Sequence, residues 1–178
     1  GTVVILALST FIVKLASKIG KKELSMIGCF ISAASFILLF IIHTHNVWVW
    51  VGLIIVATIG TSMFNMVIWA MITDVIDESE VQTGVRQDGT IYSVYSFARK
   101  LGQACSSGLS GVLLSIIGYT SATAFDTKIV DGIYNITCLV PAGGMILLLL
   151  ALWFLYPLNK KRVEENAEKL RIKRNENA

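Results

Sequence analysis

From Leu24 to Thr73 the chain carries no aspartate, glutamate, lysine or arginine. Apolar residues dominate that stretch, which is interrupted near its middle by His43-Thr44-His45-Asn46. Soluble helices keep a polar face, whereas a helix that crosses a bilayer needs about 20 mostly apolar residues. The rest of the chain repeats the arrangement, with charges in short blocks and apolar intervals between them. Only 15% of the 178 residues are charged, against roughly 25% in ordinary soluble domains. The class that follows is an all-α integral membrane protein, and a soluble domain is excluded.

Five spanning segments are expected, at about Thr2–Val13, Leu24–Ile42, Val47–Thr73, Thr90–Ile117 and Gly132–Tyr156, in a transmembrane bundle over 1–158. The first is too short to cross. The chain also opens on Gly1 inside an apolar run, so a truncation or fragment is expected. Trp48 and Trp50 suit the aromatic belt at a membrane interface. Asp74 to Gly89 reads as a polar connecting segment, and Pro157 stops the last span. The tail, 159–178, reads as a charged, solvated helix or a disordered end.

Lys and Arg placement orients the spans. The first loop holds Lys14, Lys18, Lys21 and Lys22, the third holds Arg86, and the tail holds seven cations, among them Lys160, Arg162 and Arg174. The second turn has none, and the fourth loop has only Lys128. Cytoplasmic loops carry the basic excess, which places the first and third loops and the C-terminus in the cytoplasm of a multi-pass cell-membrane protein. The net charge of +3 then reflects topology, and a nucleic-acid partner is not expected.

Lys100 is the most informative residue. With span entry between Gly89 and Tyr92, a rise of 1.5 Å per residue puts it roughly 12–17 Å deep. A cation near the midplane costs at least about 2.5–3.5 kcal/mol, so it must face protein or water. Tyr92, Ser96, Lys100, Gln103, Ser107 and Ser110 recur at spacings of three and four, forming one polar face. That face fits a water-filled cavity or a helix interface joined by small and polar residues. Arg99 points about 100° away. It is expected to snorkel toward the cytoplasm or to pair with an acid outside this stretch of chain.

In the third span, Thr58, Thr61, Asn65 and Trp69 make a weaker stripe. Hydrogen bonds from an amide beside a flat aromatic face suit sugars and many other solutes, though for the stripe in isolation ordinary packing is the preferred account. Asp74, Asp77 and Glu80 stand at a helix C-terminus, where the dipole disfavours anions. Lys18, Lys21, Lys22 and Arg86 are candidate counter-charges. The cluster fits either a solvated acidic loop or a salt-bridge latch that opens and closes. His43 and His45 lack a third ligand, and no metal site is expected. Cys29, Cys105 and Cys138 read as small apolar filler. Ser107, Gly111 and Ser115 are spaced for close helix packing. No nucleophile elbow or phosphate loop occurs, so an enzyme is not expected.

The stretch Asp74-Val-Ile-Asp77, Thr83-Gly84-Val-Arg86, Asp88-Gly89-Thr-Ile-Tyr92-Ser93 and Phe97-Ala-Arg-Lys100-Leu-Gly102-Gln103-Ala104 resembles a signature of the glycoside–pentoside–hexuronide:cation symporters. This family of the major facilitator superfamily includes melibiose, glucuronide and xyloside carriers. Gly118-Tyr119 fits as well. The resemblance implies a twelve-helix carrier of which this chain holds about helices 8 to 12, a partial C-terminal bundle lacking its N-terminal half. The segment Leu15 to Lys22 resembles the basic loop between helices 8 and 9, but Val13 stands where a glycine is usual and Ser17 where an aspartate is usual.

The resemblance further implies sugar:cation symport by alternating access, with Na⁺, H⁺ or Li⁺ as the coupling cation and no other cofactor. Lys100 corresponds to a lysine beside the sugar and cation sites, and Ser96 to a polar residue near the sugar. Asn65 stands where a melibiose carrier has a tryptophan, with Trp69 one turn on. Substrate-binding residues are therefore expected to be Lys100, Ser96, Asn65, Trp69 and Gln103. A cytoplasmic gate is expected from Asp74, Asp77, Glu80 and Arg86, with the cation ligands mostly outside this stretch. The alternative is a non-transporting membrane fragment with a structural or assembly role.

Overall fold

A computed structural model describes residue 12 and residues 14–44 and 46–176. The first expected span therefore lies outside the described residues apart from Ile12, as does His45. After helical turns at 14–19, the described chain forms α1 (Lys21–Ile42), α2 (Val47–Thr83), α3 (Asp88–Ile116), α4 (Thr127–Phe154) and α5 (Lys160–Glu176). No strand occurs among the described residues.

The core forms where α1 packs along both α2 and α4. Gly28 of α1 and Gly60 of α2 bring the two backbones together. A Cβ added to either would stand 2.5 Å from the other's carbonyl oxygen. Small residues permit that approach, and Ser32 and Thr61 share a hydroxyl hydrogen bond of 3.0 Å beside it. Leu24, Cys29, Val67, Met71 and Leu152 are buried around this crossing. Cys138 is buried as well, whereas Cys105 is exposed. On the far side of the bundle the Tyr134 hydroxyl donates to the Leu39 carbonyl at 2.8 Å, tying α4 to the end of α1.

Three described helices, α1, α2 and α4, are long and apolar enough to cross a membrane. The helix α3 is not among them, because its serines, Gln103, Arg99 and Lys100 interrupt its apolar surface. None of its residues is buried, and it leans on α2 alone to any extent. Nothing lies within 4 Å of a Cβ built on Gly111. The Ser107–Gly111–Ser115 stripe therefore makes no close packing with the described residues.

One element departs from expectation. α2 does not end at Thr73 but runs 37 residues to Thr83, about 55 Å at 1.5 Å per residue against a hydrocarbon core of about 30 Å. The polar segment after Asp74 is thus mostly a helical extension, closed by Gly84 at φ 76° with its N–H on the Glu80 carbonyl. Acids at that helix end survive because cations from three other parts of the chain reach them. The tail takes the helical form of the two expected: α5 is charged and mostly exposed, and it buries Asn166 and Leu170 where it docks on the extension.

Candidate functional site: a two-helix groove and a charged end

The groove between α2 and α3 collects residues from both. Its larger compartment, about 660 Å³, is lined by Asn65 and Trp69 of α2 and by Tyr95 and Arg99 of α3, among others. A smaller one, about 220 Å³, is lined by Trp69, Tyr95, Ser96, Arg99, Lys100 and Gln103. Small-molecule sites usually measure about 300–1,000 Å³. The five expected binding residues therefore line these two compartments, and Trp69, Tyr95 and Arg99 belong to both.

Trp69 is the hinge of this arrangement. Tyr92 stacks on it at 6.2 Å between ring centroids, and Tyr95 meets it edge-on at 5.3 Å. The Arg99 guanidinium carbon lies 5.8 Å from the ring centroid, within cation–π range. Arg99 therefore lies over Trp69 and lines the groove beside the polar face. On α3, residues 92, 95, 99 and 103 recur at helical spacing, and 96 and 100 lie beside them. Tyr95 and Arg99 were missing from the expected set. Their signal lay in the same spacing, shifted by one residue from the polar series. Asn65 donates from Nδ2 to the Thr61 carbonyl at 3.2 Å, and its amide oxygen remains available as an acceptor.

The second constellation lies at the charged end of the bundle. Asp74 is buried, and its Oδ1 meets the Lys21 Nζ at 2.6 Å. Arg86 gathers three acids, reaching Asp77 at 2.9 Å, Glu80 at 3.0 Å and Asp88 at 2.8 Å. These three carboxylates hold its guanidinium above its ordinary value. The four expected gate residues thus fall into two pairings: Lys21 with Asp74, and Arg86 with Asp77 and Glu80. Of the other candidate cations, Lys22 donates to the Tyr156 carbonyl at 2.5 Å, a cation placed beyond the end of α4.

Sequence reasoning missed Glu78, which organises the contact with the tail. Its carboxylate accepts from two nitrogens of Arg162, from Asn166 at 2.5 Å and from Gln82 at 2.6 Å. In this polar extension beyond Thr73, the Arg162 guanidinium is the main cause that holds the Glu78 carboxyl down at about 2. Glu78 in turn raises Arg162. Arg174 reaches Glu80 at 3.3 Å, Lys173 reaches the Gly84 carbonyl at 3.2 Å, and Lys160 reaches the Lys18 carbonyl at 3.0 Å. The available signal was the four-residue spacing of Leu158, Arg162, Asn166, Leu170 and Arg174.

The described residues form an apolar helix bundle with a polar, cation-bearing groove, and three of its helices are long and apolar enough to cross a membrane. Comparison with known proteins agrees. Residues 1–160 match the family model described as "MFS/sugar transport protein", and the chain belongs to that family. It is 38% identical over 152 residues to "Uncharacterized symporter YjmB" of Bacillus subtilis, covering 85% of this chain and 33% of that protein. It is 32% identical over 151 residues to "Glucuronide carrier protein homolog" of Escherichia coli, covering 85% and 33%. Against "Putative sulfoquinovose importer" of Escherichia coli the identity is 31% over 156 residues, covering 88% and 33%. The chain spans about a third of the length of the curated relatives it matches.

Proposed function

We propose that this chain serves a secondary active transporter that moves a glycoside, pentoside or hexuronide together with Na⁺, H⁺ or Li⁺ by alternating access. The observation that carries the reading is the convergence of Asn65 and Trp69 with Ser96, Lys100 and Gln103 on one groove. Relatives named for a glucuronide and for sulfoquinovose support a sugar-like solute.

In this reading the chain contributes five spanning segments to a twelve-helix carrier, α3 being the fourth of them, with the C-terminus in the cytoplasm of the cell membrane. A helix as polar as α3 is tolerated at membrane depth when its polar face lines a water-filled path. The N-terminal half supplies the opposite wall of the path and most ligands of the coupling cation. Trp69 offers a stacking face. Asn65, Ser96 and Gln103 exchange hydrogen bonds with hydroxyls, and Lys100 places a positive charge beside the solute. Asp74, Asp77, Glu80 and Arg86 belong to a cytoplasmic gate whose pairings break and re-form between states. No covalent step is involved. Uptake of labelled glycosides into proteoliposomes under a cation gradient tests the reading; no uptake from a panel of glycosides with any of the three cations would end it.

A further inference from the structure

Trp69 lines both compartments of the groove, whereas Tyr92 lines neither. The two rings are nevertheless stacked, with 6.2 Å between centroids and 29° between planes. Tyr95 meets the same indole edge-on, at 5.3 Å and 73°. Tyr92, Tyr95 and Arg99 stand on successive turns of α3, and all three reach this one side chain of α2. Across residues 91–100, Ile91, Tyr92 and Tyr95 are half-buried and the rest are exposed. The shelter that the tyrosines have on this part of α3 therefore goes with their contact to Trp69.

Two ring contacts of different geometry fix more than one does. A stacked partner restrains the tilt of the indole plane but leaves the ring free to slide within it. An edge-on partner blocks the sliding. Both arrangements are favoured between aromatic rings, and each stabilises beyond the area it buries. Tyr95 lines both compartments, so it can meet a solute directly. Tyr92 stands outside them, and its contact with the groove runs through Trp69. The plane of that indole matters to a solute because Trp69 remains 47% exposed. A group offered for binding works only when held near the productive orientation, within roughly 10–20°. Holding it there beforehand spares the side-chain freedom that binding would otherwise remove.

We infer that Tyr92 is a positioning residue for the solute site: stacked on Trp69 from outside the groove, it sets the plane of the indole that the solute meets. The inference rests on the carrier reading above and adds to it a residue that acts on the solute through another.

Fluorine NMR and binding on the complete carrier in detergent, labelled with 5-fluorotryptophan, test this role. The Trp69 resonance is the one missing from Trp69→Phe, and the probes are 4-nitrophenyl glucuronide and 4-nitrophenyl glucoside. Tyr92→Phe keeps the ring, so it should bind a probe within about twofold of the wild type and leave the Trp69 resonance in place. Tyr92→Leu should bind about threefold to tenfold more weakly, the span of one aromatic pair. Its Trp69 resonance should be displaced or broadened before any probe is added. In a Trp69→Leu background, Tyr92→Leu should change affinity by less than about twofold, because the residue it acts through is gone. Wild-type affinity or an unmoved Trp69 resonance in Tyr92→Leu would overturn the inference. So would equal losses in Tyr92→Phe and Tyr92→Leu, or an undiminished loss on top of Trp69→Leu. Each of these leaves the carrier reading standing, since the wild type still binds. Should Tyr92→Leu fail to fold, Tyr92→Met carries the same predictions. Misfolding of both would overturn the inference, Tyr92 then serving the fold and not the ring. Binding of neither probe by the wild type would count against both readings.

Discussion

Glu78 and Arg162 are 84 residues apart in sequence, yet two guanidinium nitrogens of Arg162 rest on the Glu78 carboxylate. Asn166, one turn further along α5, adds a third donor. This contact turns the C-terminal tail from a solvated appendage into a strap on the extension of α2. It also brings Arg174 to Glu80, which Arg86 already holds, so α5 and Arg86 share an acid.

Loss of that contact should free the tail. Glu78→Ala and Arg162→Ala are each expected to raise the rate of limited tryptic cleavage at Lys169 and Arg171 several-fold, since local opening sets susceptibility. The double variant should add little to either single one, because both remove the same interaction. Additive rates would show that Glu78 and Arg162 act separately.

The contact should also respond to acid in a defined window. The Glu78 carboxyl lies at about 2, below its ordinary 4.5. A depressed folded-state value means that its stabilisation is complete above about pH 4.5 and fades as pH falls toward about 2. A spin label at residue 175 should therefore stay immobilised at pH 5 and become mobile between about pH 4 and 2. In Glu78→Gln the label should be mobile at neutral pH and show no such step. A transition centred above pH 5 in the parent protein would contradict the assignment.

The crossing of α1 and α2 should tolerate no added bulk. Gly28→Ala places a methyl 2.5 Å from the Gly60 carbonyl oxygen and 2.9 Å from the Met63 Cβ, an overpacking expected to cost about 1–3 kcal/mol. Gly52→Ala, with nothing within 4 Å, should stay within about 0.5 kcal/mol. Thermal denaturation in detergent distinguishes them, and equal melting temperatures would show that the backbones do not approach so closely.

The buried carboxylate of Asp74 should depend on Lys21. Lys21→Ala leaves that charge without its partner, a loss of up to about 3–5 kcal/mol for fully buried pairs and less here because Lys21 is a third exposed. Lys21→Ala combined with Asp74→Ala should recover much of the lost stability. A double variant less stable than Lys21→Ala alone would refute the pairing.

How far these features are legible in the sequence depends on the distance over which they are decided. The absence of charge from Leu24 to Thr73 is a local property, and it marks two apolar helices without reference to anything else. The polar face of Ser96, Lys100 and Gln103 is legible for the same reason, being a matter of spacing on one helix. The contact of Arg99 with Trp69 is not, because it depends on where α2 stands, and a helical wheel holds no neighbour. The length of α2 is hidden similarly. Its polar end reads as a loop until Arg162 and Arg174 arrive from the tail to pair with its acids and Asn166 adds a hydrogen bond. Crossing by α3 is expected from the alternation of loop charge, but its own apolar character is too low to require it.

Substrate protection of the groove tests the central claim most directly. In a transport-competent carrier with Cys105→Ala, a cysteine at Ser96 should react readily with a water-soluble maleimide. Saturating transported sugar should slow that reaction several-fold, while a cysteine at Ser110, two turns beyond the Gln103 end of the groove, should react at the same rate with and without sugar. Alkylation of Ser96→Cys at an unchanged rate under saturating, transported sugar would contradict the assignment of this groove as the binding site.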